Sequence, residues 1–372
     1  MRRAAALVVA LALAGCAGGA PAPDATTAPP ATSPAGPTPD PTASHPTTAL
    51  PATPQVVASG LAAPWGLAFL PDGSALVTER DTGRVLRVRR DAPAASLGVV
   101  PGVAHGGEGG LLGVAVPPGA PWDGTVFVYA TTTQDNRVLR LRLVGDVLVP
   151  DGVVLSGIPR ARNHDGGRIA VGPDGYLYVA TGDAGVPARA QDLGSLAGKI
   201  LRVTVDGEPA PGNPFPGSPV WSRGHRNVQG LAWTPDGRLI ASELGQNAWD
   251  ELNVIRAGAN YGWPEVEGRG GGDRFVDPVA VWSPSDASPS GIAVVDGAVY
   301  VAALRGEALW RVPLDGDTVG APERLLHGAY GRLRAVEVDD EGALWLLTSN
   351  RSRGRPREGD DRVVVLTLDD VR

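Results

Sequence analysis

The chain has 372 residues, 43% of them hydrophobic, and a formal net charge of −7. That composition excludes disorder of the whole chain and allows a large buried core. It provides no general basic field, so nucleic acid is discounted as a partner, and the near-exclusive use of arginine, with Lys199 the only lysine, reads as genomic composition bias.

The chain opens "MRRAAALVVALALAGC", where Arg2 and Arg3 precede an apolar run too short and too rich in alanine for a permanent membrane span. Residues 1–15 are therefore predicted to be a lipoprotein signal peptide. The Leu13-Ala14-Gly15-Cys16 ending is similar to a bacterial lipobox, which implies cleavage before Cys16 and acylation of its thiol. The plainer alternative is an ordinary signal peptide with a stray cysteine; no disulfide is possible, because the chain has no second one. Residues 16–54 are Pro, Thr, Ala and Ser with few large apolar groups. Such a segment buries too little surface to offset its ordering entropy and is expected to be a disordered tether. The folded domain, 55–372, is then expected outside the cytoplasm, lipid-anchored to the outer face of the cell membrane.

From Leu61 onward one pattern recurs: a short apolar strand, a turn containing Gly, usually Asp-Gly, and a second apolar strand. It is seen in "GLAFLPDGSALVTER", "VAVPPGAPWDGTVFVYATT", "RIAVGPDGYLYVATGD", "GLAWTPDGRLIASELG", "GIAVVDGAVYVAAL" and "AVEVDDEGALWLLTS". The turn glycines are Gly73, Gly124, Gly175, Gly237, Gly297 and Gly342, at the spacing of four-stranded propeller blades. Each hairpin is followed by a further strand, such as "GRVLRVRR" or "DRVVVLTLDD". The prediction is all-β: a six-bladed β-propeller of four-stranded antiparallel blades, closed by pairing of its terminal segments. The turns mark the fold and carry no chemistry.

Chemistry is expected where other residues interrupt the repeat. "HGGEGGLLG" carries Glu108, "RNHDGGR" His164, "GHRNVQGL" Arg226 and Asn227, "AALRGEALW" Arg305, and "YGRLRAV" Arg332 and Arg334. Equivalent loops of successive blades meet around the axis, so these groups can converge. Arginines brought together in a partly dehydrated site repel one another unless an anion lies among them.

Read in order, "GEGGLLG", "NHDGGR", "GHRNVQGL", "ELGQNAWDELN", "NYGWP" and "GRLRAV" resemble the soluble quinoprotein sugar dehydrogenases, above all the aldose sugar dehydrogenases, across essentially the whole folded domain. The resemblance implies pyrroloquinoline quinone (PQQ) and Ca²⁺ as cofactors, aldose sugars as substrates, and an external electron acceptor of unidentified nature. It implies that His164 is the general base for the anomeric hydroxyl, a task suited to an imidazole. It further implies that Arg226, with Asn227, polarises the quinone. Ala303, Leu304, Arg305, Arg332 and Arg334, with Glu108, fall at cofactor-binding positions, the arginines on the PQQ carboxylates. The carbonyls of Gly245 and Gln246 match ligands of the calcium that meets PQQ, and Glu251 and the Tyr261 carbonyl a second, structural calcium, with Asp250 as a helper. The bland alternative for Asp250 and Glu251 is a charged strand edge, and for His164 a hydrogen-bonded loop residue.

Three positions depart from the family pattern: Glu108 stands where some relatives have glutamine, Asn163 where aspartate is found, and Arg305 in place of lysine. His225 reads as a loop hydrogen-bonder. Two other functions share the architecture, a calcium-dependent lactonase and a non-catalytic lipid-tethered binding module. Neither has a use for the arginine set.

Overall fold

A computed structural model of the chain describes residues 54–371 except 120 and 317, together with Thr47 and Thr48. The predicted signal peptide, Cys16 and almost all of the tether lie outside the described residues.

The domain is a ring of six sheets, each built on four antiparallel strands that in the first five follow in chain order; the fifth also pairs with Thr47–Thr48, parallel to its strand Glu323–Leu325. The first blade comprises Pro64–Phe69, Ala75–Glu79, Arg84–Val88 and Ala95–Val99. The next three begin with Leu111–Ala115, Ile169–Val171 and Val228–Trp233, and the fifth with Pro289–Val295. In the sixth, Leu333–Val338, Leu344–Thr348 and Val363–Leu366 are completed by Gln55–Ala58 from the start of the domain, antiparallel to Val363–Leu366. The terminal segments therefore close the ring, as expected. The predicted third strands are those observed, while the fourth strands carry no repeated motif and were not foreseen individually. All six turn glycines adopt φ between +67° and +90°, a region that costs glycine nothing.

The core is divided into six apolar clusters, one between each pair of neighbouring blades. Large side chains such as Phe127, Tyr129, Trp310 and Trp345 fill the wedges and are fully buried. Near the axis the blades approach far more closely. There the inner strands align as Gly66-Leu67-Ala68, Gly113-Val114-Ala115, Arg168-Ile169-Ala170, Gly230-Leu231-Ala232, Gly291-Ile292-Ala293 and Ala335-Val336-Glu337. A Cβ on Gly113 would lie 2.3 Å from the Gly167 carbonyl oxygen, and one on Gly230 2.4 Å from that of Ser290. Small residues are required because backbones of adjacent blades touch.

One irregularity positions the site. Five inner strands slip register at the same level, between Pro64 and Leu67, Leu111 and Val114, Val228 and Gly230, Pro289 and Ile292, and Leu333 and Ala335. Such bulges re-aim side chains that regular alternation would bury between sheets. Trp65, Gln229 and Arg334 lie at this level and line a cavity. The hairpin turns lie at the far ends of the same strands, so fold-marking and site-bearing loops occupy opposite faces.

Candidate active site

The cavity measures about 440 Å³, and its walls include Arg80, Arg305, Arg332, Arg334 and Arg353 against one carboxylate, Glu108. Arg334 is buried, and its Nη1 donates to Gln229 Oε1 at 2.8 Å. The Nε atoms of Arg332 and Arg334 are buried without a hydrogen-bond partner among the described residues. Burial, and then the charges of Arg80 and Arg332, push Arg334 down to about 9. Arg332 is lowered by burial and by Arg353. These are cations held together with donors unspent, an arrangement that an anion with several carboxylates would relieve. Arg80 and Arg353 escaped sequence reasoning: Arg80 ends a hairpin that was read only as a mark of the fold, and Arg353 lies on the short helix Asn350–Arg353, outside the recognised motifs.

His164 adopts φ +60°, unusual for a residue with a side chain. Its amide donates to Glu108 Oε2 at 2.8 Å, and the Asn227 side-chain amide donates to the same oxygen at 3.3 Å. Glu108 is therefore paired, with Arg353 3.9 Å from its other oxygen. Through Glu108, a wall residue, His164 is joined to the cavity. Its ring Nδ1 lies 2.7 Å from Asp183 Oδ1. Asp183 is fully buried and also accepts from Trp263 Nε1 at 2.8 Å and from the Gly185 amide at 2.8 Å. Burial raises the Asp183 carboxyl, but the His164 contact and these donors outweigh it and hold the group below its ordinary range. An ionised Asp183 assigns the proton of the neutral ring to Nδ1 and leaves Nε2 as acceptor.

Asp183 is the principal functional residue that sequence reasoning missed. Its signal was present in "TGDAG", but spacing alone does not show which histidine a carboxylate will meet. Gly182, beside it, lies so close that a Cβ would fall 2.0 Å from the His164 carbonyl oxygen.

Arg226 Nη1 donates to the Leu244 carbonyl at 3.0 Å, and its guanidinium lies 5.5 Å from the Trp263 ring centroid. Leu244 lines the arginine-rich cavity, whereas Arg226 lines a smaller one shared with Gly245, Glu251 and Tyr261. Asn227 is buried, its Oδ1 accepting the Gly166 amide at 3.0 Å. Leu304 and Arg305 lie in the cavity wall. Ala303 does not: its side chain is buried in the apolar wedge between the fourth and fifth blades.

Asp250 and Glu251 are buried, not strand-edge charges. Adjacent in one strand, they point to opposite faces. Asp250 accepts the amides of Gly245 at 2.8 Å and Ser288 at 2.6 Å, and burial pushes it up to about 7. Glu251 accepts the Gly268 amide at 2.6 Å and is pushed up to about 8 by burial and then by the Glu243 charge. Asp250 thus serves the Gly245 loop and not the surroundings of Glu251. Glu267, also unforeseen, takes the amides of Gln246, Asn247, Ala248 and Trp249 on a single oxygen at 2.5 to 3.2 Å. The Tyr261 hydroxyl donates to the Val254 carbonyl and accepts the Arg256 amide, leaving its own carbonyl as the ligand to consider. Among the described residues no three metal-ligating side chains cluster, so a cation here would depend on main-chain oxygens as well. Crowded, uncompensated carboxyls beside carbonyls suit a hard dication. His225 is buried between Ser222 Oγ at 2.8 Å and Glu243 Oε2 at 2.9 Å, a structural histidine.

The fold and the site together define a class: a β-propeller with a polycationic axial cavity and, beside it, a histidine oriented by a buried carboxylate. Residues 61–355 match the glucose/sorbosone dehydrogenase family, to which the chain belongs. The solved PQQ-bound aldose sugar dehydrogenase of Streptomyces coelicolor is 53% identical, with a TM-score of 0.82, over 85% of this chain and 99% of that one. Aldose sugar dehydrogenase YliI of Escherichia coli K12 is 30% identical over 346 residues, 82% of this chain and 92% of its own length. Quinoprotein glucose dehydrogenase B of Acinetobacter calcoaceticus is 34% identical over 253 residues, 58% of this chain and 52% of its own.

Proposed function

We propose that this protein is a PQQ- and calcium-dependent dehydrogenase that oxidises aldose sugars at the anomeric carbon to lactones. The observation that carries this reading is the pairing of buried, unspent arginine donors with a carboxylate-oriented histidine beside one cavity. Arg305, Arg332 and Arg334 would hold the carboxylates of PQQ. Arg226 would lie toward the quinone, and the carbonyls of Gly245 and Gln246 would bind the calcium that meets it. Glu251 and the Tyr261 carbonyl would bind a second calcium. PQQ, when bound, supplies a two-electron acceptor for the hydride of the anomeric carbon, with calcium withdrawing electron density from it.

His164 Nε2 takes the proton of the anomeric hydroxyl, so that the carbon–oxygen bond gains double-bond character as hydride departs. Asp183 stabilises the imidazolium that results and keeps the ring from rotating. Asn227 and Glu108 hold the histidine backbone and do not need to touch the sugar. The partners are the aldose and an external electron acceptor. The lipid read at Cys16 would keep the enzyme on the outer face of the membrane.

The test is dye reduction by purified apoprotein across a panel of aldoses. Sugar-dependent reduction is expected only when PQQ and Ca²⁺ are both present. Hydrolysis of sugar lactones without PQQ, and no dye reduction with it, would replace this reading by the lactonase one.

A further inference from the structure

Below the cavity, the axial positions of the six inner strands are glycine or alanine with two exceptions, Arg168 in the third blade and Glu337 in the sixth. Both line a channel of about 340 Å³ on the hairpin side of the cavity floor. Neither belongs to the machinery described above.

Arg168 is connected to that machinery by two residues. Its Nε donates to the Gln229 carbonyl at 2.9 Å, while the Gln229 side-chain oxygen accepts Arg334 Nη1 at 2.8 Å. Both guanidinium groups lie over the Trp65 ring, at 4.5 Å for Arg168 and 5.6 Å for Arg334. Gln229 and Trp65 are themselves buried. Arg168 Nη2 has no hydrogen-bond partner among the described residues, and it packs closely against Gly291, where a Cβ would lie 3.1 Å from it. A second buried cation has thus been accommodated directly beneath the first, in a ring otherwise reduced to the smallest side chains.

We propose that Arg168 is an electrostatic and positioning residue for Arg334, acting through Gln229 and Trp65 to keep the cavity floor positive toward a polycarboxylate ligand, and that Glu337 attenuates this field from the channel. The ligand class rests on the function proposed above. Burial pushes Arg168 down to about 10 and Glu337 up to about 7, each partly offset by the other's charge, so both are mainly charged at pH 8.

The experiment titrates PQQ into full-length apoprotein at pH 8, low salt and fixed Ca²⁺, following tryptophan fluorescence. Arg168→Met is expected to weaken binding on the order of 10-fold, Arg168→Lys less, and Glu337→Gln to tighten it roughly 3-fold, as through-space charges at moderate effective dielectric would. The KM for sugar should be unchanged in Glu337→Gln. Damage to the fold only weakens binding, so tightening by a substitution outside the cavity separates an electrostatic role from a structural one. Benzene-1,3,5-tricarboxylate is titrated in parallel. Should PQQ fail to bind while the tricarboxylate follows the same order of variants, the cofactor reading falls and this inference stands. Wild-type binding of PQQ with Glu337→Gln equal or weaker overturns the inference, as does the absence of affinity for either polyanion.

Discussion

At the scale of single residues, His164 and Asp183 make separable contributions. His164→Gln removes the acceptor but leaves the arginines and the calcium loop, so PQQ and calcium binding should persist while quinone reduction by sugar slows by about 10² or more. Asp183→Asn removes the charge that selects the ring tautomer and should lower turnover by a similar factor, with little change in cofactor affinity. Stopped-flow absorbance and equilibrium titration distinguish the two effects. A histidine with a purely structural role would show reduced thermal stability and an unaltered rate per folded molecule. Stability depends on pH. Because the Asp183 carboxyl is held below its ordinary range, its stabilisation is complete above the ordinary aspartate value and is lost as pH falls through the lowered one. Asp183→Asn should remove that part of the acid unfolding curve.

At the scale of elements, the fourth blade holds the loop on which calcium binding is proposed to depend. One Glu267 oxygen gathers four successive amides there, and Asp250 fixes the preceding glycine. Glu267→Gln keeps the shape and weakens charge-assisted acceptance, so a loss of about 1–3 kcal/mol is expected in thermal unfolding. Calcium affinity measured by calorimetry should fall with it. The inner strands teach a related lesson. "GLAF", "GLAW" and "RAVEV" read as regular alternating strands, and that reading correctly gave hairpins and blades. The slip of register at their upper ends is invisible in such patterns, yet it turns Trp65, Gln229 and Arg334 toward the axis. A bulge depends on what the neighbouring strand offers, and its cause is therefore not local.

At the scale of the molecule, the six apolar wedges are each shared by two blades, so no blade is complete without its neighbours. Closure depends on Gln55–Ala58 pairing with Val363–Leu366. A truncation that begins at Gln55 should melt like the full chain, whereas one that begins after Ala58 leaves the sixth blade without its outer strand and should melt at a markedly lower temperature by circular dichroism. Cys16→Ala, in contrast, should move the protein out of the membrane fraction with its activity intact.

What the sequence by itself determined is everything governed by near neighbours in the chain: period-two strands, Asp-Gly turns, the count of blades, and the interruptions that carry His164, Arg226, Arg332 and Arg334. Motif order was enough to reach the family. Only the tertiary structure decided that Asp183 meets His164, that Glu108 is paired by Asn227 and a main-chain amide, that Ala303 faces the core, and that Arg168 lies beneath Arg334. Those contacts join residues from different blades or from separate loops at the same end of one, and their partners are selected by ring closure and by the aim of side chains at the axis. Neither is encoded in a local pattern, because the free energy that fixes both comes from wedges of side chains packed between blades far apart in the chain.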